Sequence, residues 1–200
     1  MYDRQTPNME KAVKILILCL FYGIFGTEFS FGKSASFKPK LEFNVLTNVP
    51  AVEFSGELTG SGKFLMNHTV DKNGAEVVSM ESVSIPIKSL TTGIDMRDEH
   101  MWDKIFKDKA GLMPNLELVS KSACPIKSGK NICQIKGIIS FAGKSSELLA
   151  KVVITKSEAL IKMDSNFSIS LTKMGITPPS YMGVTVEDNV EVKMELESTK

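Results

Sequence analysis

The sequence predicts an all-β fold, a mostly antiparallel sandwich or barrel of eight or nine strands with one short helical insert. Beyond residue 36, apolar and polar residues alternate with a period of two. Short turn signals rich in Gly, Asn and Pro separate these runs. Only the segment near residues 95–107 changes to a helical period. Short strands joined by tight turns favour antiparallel pairing, so one domain is expected over residues 37–200.

Each predicted strand carries apolar residues of one parity, which places them on one face. In chain order these residues are Leu41, Phe43 and Val45; Val52, Phe54, Gly56 and Leu58; Val83, Ile85 and Ile87; Leu148, Ala150, Val152 and Ile154; Phe167, Ile169 and Leu171; and Val190, Val192, Met194 and Leu196. The turn signals between them lie at residues 59–62, 71–74, 128–129, 143–144 and 177–180.

Composition indicates a globular chain. The 200 residues are 42% hydrophobic and 24% charged, which is too apolar for a disordered protein. The formal net charge is only +1, so no nucleic-acid partner is expected.

The N-terminal segment is typical of a secretory signal peptide. Lys11 and Lys14 precede an apolar run over residues 15–26, which is shorter than the roughly 20 residues a membrane-spanning helix needs. Small residues follow, so we expect a signal peptide over residues 1–36 with cleavage near residue 32 or 36. The alternative is an uncleaved anchor. The expected location is periplasmic or secreted, with no stable membrane span after removal of the signal.

Export changes the interpretation of the cysteines. Without the signal, Cys124 and Cys133 remain, an even number in an oxidising compartment, and a disulfide between them is predicted. The alternative is two free thiols. Neither lies in a CxxC motif, and the chain has only two histidines, so a zinc site is not expected.

A hairpin register supports this disulfide. A two-residue turn at residues 128–129 would pair Lys127 with Lys130 and place the two cysteines directly opposite each other. The same register sets Leu118 against Ile139, so the disulfide and the apolar face agree.

The segment from Asp95 to Lys107 is predicted to be a short helix between two strands. Asp95 is the expected N-cap, and Asp98 at the third helical position favours the helix dipole. The apolar face places Trp102 and Phe106 toward the barrel or its mouth. The residues that define this face are Met101, Trp102, Ile105 and Phe106.

Residues 97–100, Arg-Asp-Glu-His, are the obvious chemical candidates. Acid/base catalysis would need such groups to converge on a pocket, and a metal would need further ligands. The other histidine, His68, lies in a distant polar stretch. We therefore favour a structural role, in which Arg97 pairs with a carboxylate and Asp98 caps the turn. Contact with a ligand is the second alternative and catalysis the third, and no metal or cofactor is expected.

The chain is also rich in Met and Phe, with 11 of each. Methionine fills irregular apolar space and lines adaptable binding surfaces. Side chains can fill a small barrel completely, or the barrel can enclose one ligand, and the sequence alone leaves both open.

Several segments resemble the YceI-like family. Residues 85–106 (IPIKSLTTGIDMRDEHMWDKIF) resemble its S-L-x-T-G and R-D-x-H signature followed by a short aromatic-bearing helix. Residues 114–118, 137–144, 173–176 and 186–190 resemble further family strands in the same order. The opening D-x-x-H-S of the family is missing, and Lys-Met stands where the family has Asp-Phe before Gly-Ile.

The resemblance implies an extended lipocalin-like, up-and-down barrel of about eight strands with a helical insert. It also implies an exported bacterial protein, since members are typically exported and some bind polyisoprenoids or fatty amides in a tunnel. We therefore expect a non-catalytic protein that binds, carries or sequesters a lipid or isoprenoid inside the barrel. The alternatives are a filled barrel acting as a structural or stress-related interaction module, and an enzyme using Asp98 and His100.

The first hypothesis assigns residues to two regions. The expected head-group or structural residues at the mouth are Arg97, Asp98, His100 and Trp102. Exposed sheet edges would permit a homodimer. The expected ligand-contacting residues of the barrel interior are Phe43, Phe54, Ile87, Phe141, Val152 and Phe167.

Overall fold

The computed structural model describes residues 36–60, 62–107 and 110–199, with only the backbone described for residues 36–38 and 199. Residues 1–35 of the predicted signal peptide, with its apolar run and Cys19, lie outside this part. The signal peptide and the domain boundary therefore stay predictions.

Twelve strands are present in the described residues. They are β1 (Ser36–Thr47), β2 (Phe54–Leu58), β3 (Lys63–Val70), β4 (Glu76–Ile85), β5 (Leu90–Thr91), β6 (Leu116–Ser120), β7 (Ala123–Ile126), β8 (Gly129–Phe141), β9 (Lys144–Lys156), β10 (Ile161–Ser170), β11 (Ser180–Tyr181) and β12 (Val184–Thr199). The helical elements are α1 (Asp95–His100), a π-helical continuation (Met101–Ile105), and two 3₁₀ turns (Pro50–Val52 and Ile87–Ser89).

The strands form one curled antiparallel sheet, a half-barrel, in the order β3-β4-β6-β8-β9-β10-β12-β1-β2-β5. Strands β6 and β7 pair with successive stretches of β4 and so act as one interrupted strand. The two shortest strands, β5 and β11, add two residues each. The all-β antiparallel prediction with one short helical insert is confirmed.

Burial follows the predicted alternation. Along β9, Leu148, Ala150, Val152 and Ile154 are buried, whereas the intervening residues are at least partly exposed. Because neighbours in a strand point to opposite sides of the sheet, this parity places one apolar row inside the curl. The core is therefore the concave side of the sheet.

The disulfide prediction is confirmed, since Cys124 and Cys133 are bonded with their Cα atoms 6.0 Å apart. The predicted pairing of Leu118 with Ile139 is also present. Both residue pairs agree with the single register predicted from the sequence.

The predicted hairpin between β7 and β8 is wrong. In the described residues β7 pairs with β4, and the Lys127 amide donates to the Asn131 side chain (2.9 Å) instead of pairing with Lys130. The Ser122 hydroxyl accepts the Lys136 amide proton at 2.8 Å, so a side chain replaces the backbone ladder here. No backbone pairing between β7 and β8 is found in the described residues, so the disulfide links these two strands.

The helical insert also differs in detail. Helix α1 begins at Asp95 after an N-cap at Ile94 with no side-chain cap bond, so the predicted Asp95 N-cap is wrong. The backbone widens into a π-helical turn, with the Phe106 amide bonded to the Met101 carbonyl at 3.1 Å. The helical region therefore ends at Ile105.

Candidate ligand-binding cavity

The concave face of the sheet encloses a cavity of about 590 Å³, within the range of small-molecule sites. Strands β1, β2, β4, β8, β10 and β12 contribute lining side chains, and α1 with its continuation covers one side. The walls are almost entirely apolar because inward positions carry the alternating residues.

Only part of the barrel interior is hollow. Val78 and Val152, which are 2% and 1% exposed, pair with the disulfide cysteines across the sheet, Val78 with Cys124 and Val152 with Cys133. This layer does not line the cavity. One half of the interior is packed around the disulfide, and the half nearer α1 contains the cavity.

Five of the six predicted interior residues line the cavity, and Val152 lies in the packed half instead. That any of them contacts a ligand stays a prediction. The five lining residues are Phe43, Phe54, Ile87, Phe141 and Phe167.

The cavity wall contains residues that the sequence analysis missed. Met174 and Ile176 line it from the turn after β10, and Tyr181 and Met182 line it from the β11–β12 hairpin. These residues lie outside the alternating strand patterns, and residues 177–180 gave only a turn signal. Only the folded chain brings them to the cavity.

Asp98 holds the corner between β5 and α1. It is 3% exposed and accepts hydrogen bonds from the Thr92 amide (2.7 Å), the Thr92 hydroxyl (2.6 Å) and the Thr91 hydroxyl. Burial raises the pKa of the Asp98 carboxyl, but these bonds and the charge of Arg97 outweigh it and leave the pKa below its ordinary value. Asp98 is a buried, fully bonded carboxylate and does not line the cavity.

Trp102 attaches the helical region to the sheet. Its indole Nε1 donates to the Leu90 carbonyl at 3.1 Å, and its ring packs against the core. Trp102 does not line the cavity. Of the four residues predicted at the mouth, Asp98 and Trp102 therefore stabilise the corner between β5 and α1 and are not part of the cavity wall.

Arg97 and His100 do line the cavity. The guanidinium carbon of Arg97 lies 4.4 Å from the centre of the Phe54 ring, a cation–π contact. No salt bridge joins Arg97 to a carboxylate in the described chain, so the expected ion pair is absent there. Among the described residues that line the cavity, Arg97 is the only permanent charge and His100 is the only histidine.

Metal ligands and membrane-spanning helices are both absent from the described residues. No group of three or more His, Cys, Asp or Glu side chains is arranged to hold a metal ion there. No helix in that part of the chain is long and apolar enough to span a bilayer.

A protein-family model, the YceI-like domain, matches residues 39–198. No curated protein matches the chain significantly.

Solved structures share the fold. BcnA of Burkholderia cenocepacia is 20% identical with a TM-score of 0.59, and the match covers 80% of this chain and 96% of that one. A polyisoprenoid-binding domain from Saccharophagus degradans, implicated in plant cell wall breakdown, is 12% identical with a TM-score of 0.52, covering 84% and 95%. A mutant YceI protein of Campylobacter jejuni is 19% identical with a TM-score of 0.53, covering 72% and 84%.

Proposed function

Because the chain belongs to the YceI-like family, we propose that it is an exported binding protein that holds one long amphiphile of the polyisoprenoid or fatty-acid type in its barrel cavity. The observation that carries the proposal is the apolar cavity of about 590 Å³ inside the curled sheet. The similar domain from Saccharophagus degradans is a polyisoprenoid-binding domain, which supports the same ligand class.

The volume of the cavity sets the size of the ligand. One water molecule occupies roughly 30 Å³ in the liquid, and we take the same volume for each nonhydrogen atom of the ligand. The cavity then holds about 20 such atoms. Each buried methylene contributes about 0.8 kcal/mol, so a chain of this length binds without specific polar contacts. A longer chain would extend out of the mouth.

Arg97 and His100 favour an amphiphile with an anionic head group. Arg97 makes no salt bridge within the described residues, so a phosphate or carboxylate placed beside it would gain charge-assisted hydrogen bonds. Stacking on Phe54 orients the guanidinium before the ligand binds, which lowers the entropy lost on binding.

The same arrangement argues against the two alternatives. An enzyme would need Asp98 and His100 to converge on substrate, yet Asp98 is buried under the Thr91 and Thr92 hydrogen bonds. A filled barrel would need side chains in the space that the cavity occupies. We therefore propose that the protein is not an enzyme.

Export to the periplasm or the exterior is part of the proposal. The signal-like N-terminal segment and the Cys124–Cys133 disulfide both support it, because disulfides persist in oxidising compartments. Cell fractionation with a blot for the mature protein tests it, and retention of the full-length chain in the cytosol would contradict it.

Native mass spectrometry of the purified protein, before and after solvent extraction, tests the ligand. We expect a mass increment that extraction removes and that polyisoprenyl phosphates or fatty acids restore. The variant Val190→Trp should block rebinding because Val190 lines the cavity, whereas Ile132→Trp, on an exposed side chain outside the cavity, should not. A protein that arrives empty and binds neither lipid class would overturn the proposal.

A further inference from the structure

The β11–β12 hairpin carries two large side chains that are both exposed and part of the cavity wall. Tyr181 is 75% exposed and Met182 is 85% exposed, and both line the cavity. A residue can do both only where the cavity reaches the surface. The hairpin therefore lies at the mouth.

A second segment completes this side of the mouth. Asn48 donates its side-chain amide to the Gly183 carbonyl (3.0 Å) and accepts the Thr185 amide proton through its side-chain oxygen (2.7 Å). These bonds hold Asn48 against the hairpin, and the exposed apolar residues Val49 and Val52 follow it in the chain. We call residues 48–52 and 180–185 together the mouth rim.

The hairpin places an apolar side chain where turn geometry favours another residue. Met182 and Gly183 have φ of 48° and 82°, the left-handed pair of a two-residue hairpin turn that prefers Asn-Gly. The β8–β9 hairpin has the same geometry with Ala142 at φ 47° and Gly143 at 77°. The turn itself does not require a long side chain here, and most of the Met182 side chain is available for a contact outside the fold.

The mouth rim lies within two uncharged segments. Residues 43–52 and 174–186 contain no Asp, Glu, Lys or Arg, although 24% of the whole chain is charged. A surface of this kind gains little from partners that bind through charge, and its exposed apolar area favours an apolar or zwitterionic partner.

From these observations we propose that the mouth rim docks on a lipid bilayer, with Tyr181 and Met182 inserted at the level of the head groups. Tyrosine suits this position because its ring is apolar and its hydroxyl remains hydrated. The apolar cavity opens at the same rim, so an amphiphile could pass between bilayer and barrel without crossing water. The inference goes beyond cargo binding, because an empty barrel can dock as well.

The test is fluorescence quenching in the full-length chain by vesicles of brominated phosphatidylcholine. Met182→Trp reports on the mouth rim, and Ala142→Trp is the matched control in a hairpin with the same backbone geometry. Quenching reports only on the surroundings of the introduced indole. Both variants contain the apolar run at residues 15–26, so that run does not explain a difference between them. We expect strong quenching at position 182 and little at position 142.

A charge placed in the rim should weaken docking. In the Met182→Trp chain, adding Tyr181→Asp should raise the vesicle concentration for half-maximal quenching about ten-fold, whereas adding Ala142→Asp should not. Raising the salt concentration should change this value less than two-fold, because docking does not depend on charge.

Three results would overturn the proposal: no quenching at position 182, equal quenching at positions 182 and 142, or quenching that Tyr181→Asp does not weaken. A further result would be burial of the indole introduced at position 182 as the protein concentration rises in the absence of vesicles. That result would assign the mouth rim to a contact with a second copy of the chain and would also overturn the proposal. Native mass spectrometry of Val49→Asp, at an exposed rim residue that does not line the cavity, separates this test from the proposed function. Added to the Met182→Trp chain, this change should weaken quenching while cargo is retained, which supports both proposals, and docking of a protein that carries no cargo contradicts only the proposed function.

Discussion

The guanidinium carbon of Arg97 lies 4.4 Å from the centre of the Phe54 ring, so a single permanent charge faces the cavity from above an aromatic side chain. Phe54 comes from β2 and Arg97 from α1, more than 40 residues later in the chain. The contact joins the two parts of the proposed site, the apolar wall and the cationic head-group position.

Replacing Arg97 should separate these two parts. Arg97→Gln should weaken binding of a polyisoprenyl phosphate or fatty acid by about 1.5–3 kcal/mol, because a hydrogen bond to a charged group is lost. The uncharged alcohol with the same chain should bind as before, and titration calorimetry with both ligands measures the difference. Equal weakening for the two ligands would place the head group away from Arg97.

Removing the charge of Asp98 should destabilise the corner between β5 and α1. In Asp98→Asn an amide group faces the Thr92 amide and the Thr91 and Thr92 hydroxyls, so at least one buried donor loses its acceptor. We expect a loss of about 1–3 kcal/mol in the free energy of unfolding, measured by urea denaturation. The control Asp95→Asn, at an exposed position without a side-chain cap bond, should change it by less than about 0.5 kcal/mol.

Acid should destabilise the protein partly through the same carboxylate. The pKa of Asp98 is lowered in the folded state, so its contribution is complete above the unfolded pKa of about 4 and is lost as the pH falls through the folded value. Glu76 acts in the same direction, because its hydrogen bond from Lys156 lowers its pKa. Urea midpoints between about pH 6 and pH 3 should fall less steeply in Asp98→Asn than in the parent protein. Identical slopes would contradict this assignment.

The disulfide should stabilise the packed half of the barrel. Closing the short loop between Cys124 and Cys133 is worth roughly 2–3 kcal/mol, so a reductant should lower the urea midpoint accordingly. The double variant Cys124→Ala/Cys133→Ala should start at the lower midpoint and not respond to reductant. A parent protein that is equally stable with and without reductant would show that the disulfide has no such role.

The fold and much of the cavity wall follow from local pattern. The alternating runs include Phe43, Phe141 and Phe167. A period of two places such residues on one face of their strand, whichever neighbour that strand pairs with. The disulfide is predictable for the same reason, because a strand register correctly paired Leu118 with Ile139. The Lys127–Lys130 pair was wrong because the Asn131 side chain takes the hydrogen bond expected of the backbone. The Asp95 N-cap was wrong because the first helical amides, those of Arg97 and Asp98, donate to the Ile94 carbonyl, which makes Ile94 the N-cap.

The sequence by itself determined an all-β chain with an inward apolar face and a cysteine pair, because strand periodicity and register are local properties. Only the tertiary structure decided that Val152 is packed while Phe43 faces open space, that Asp98 is enclosed by threonines while Arg97 faces the cavity, and that the β11–β12 hairpin reaches the mouth. Those outcomes depend on how far the sheet curls and on which distant segments meet, and contacts between residues far apart in the chain determine both.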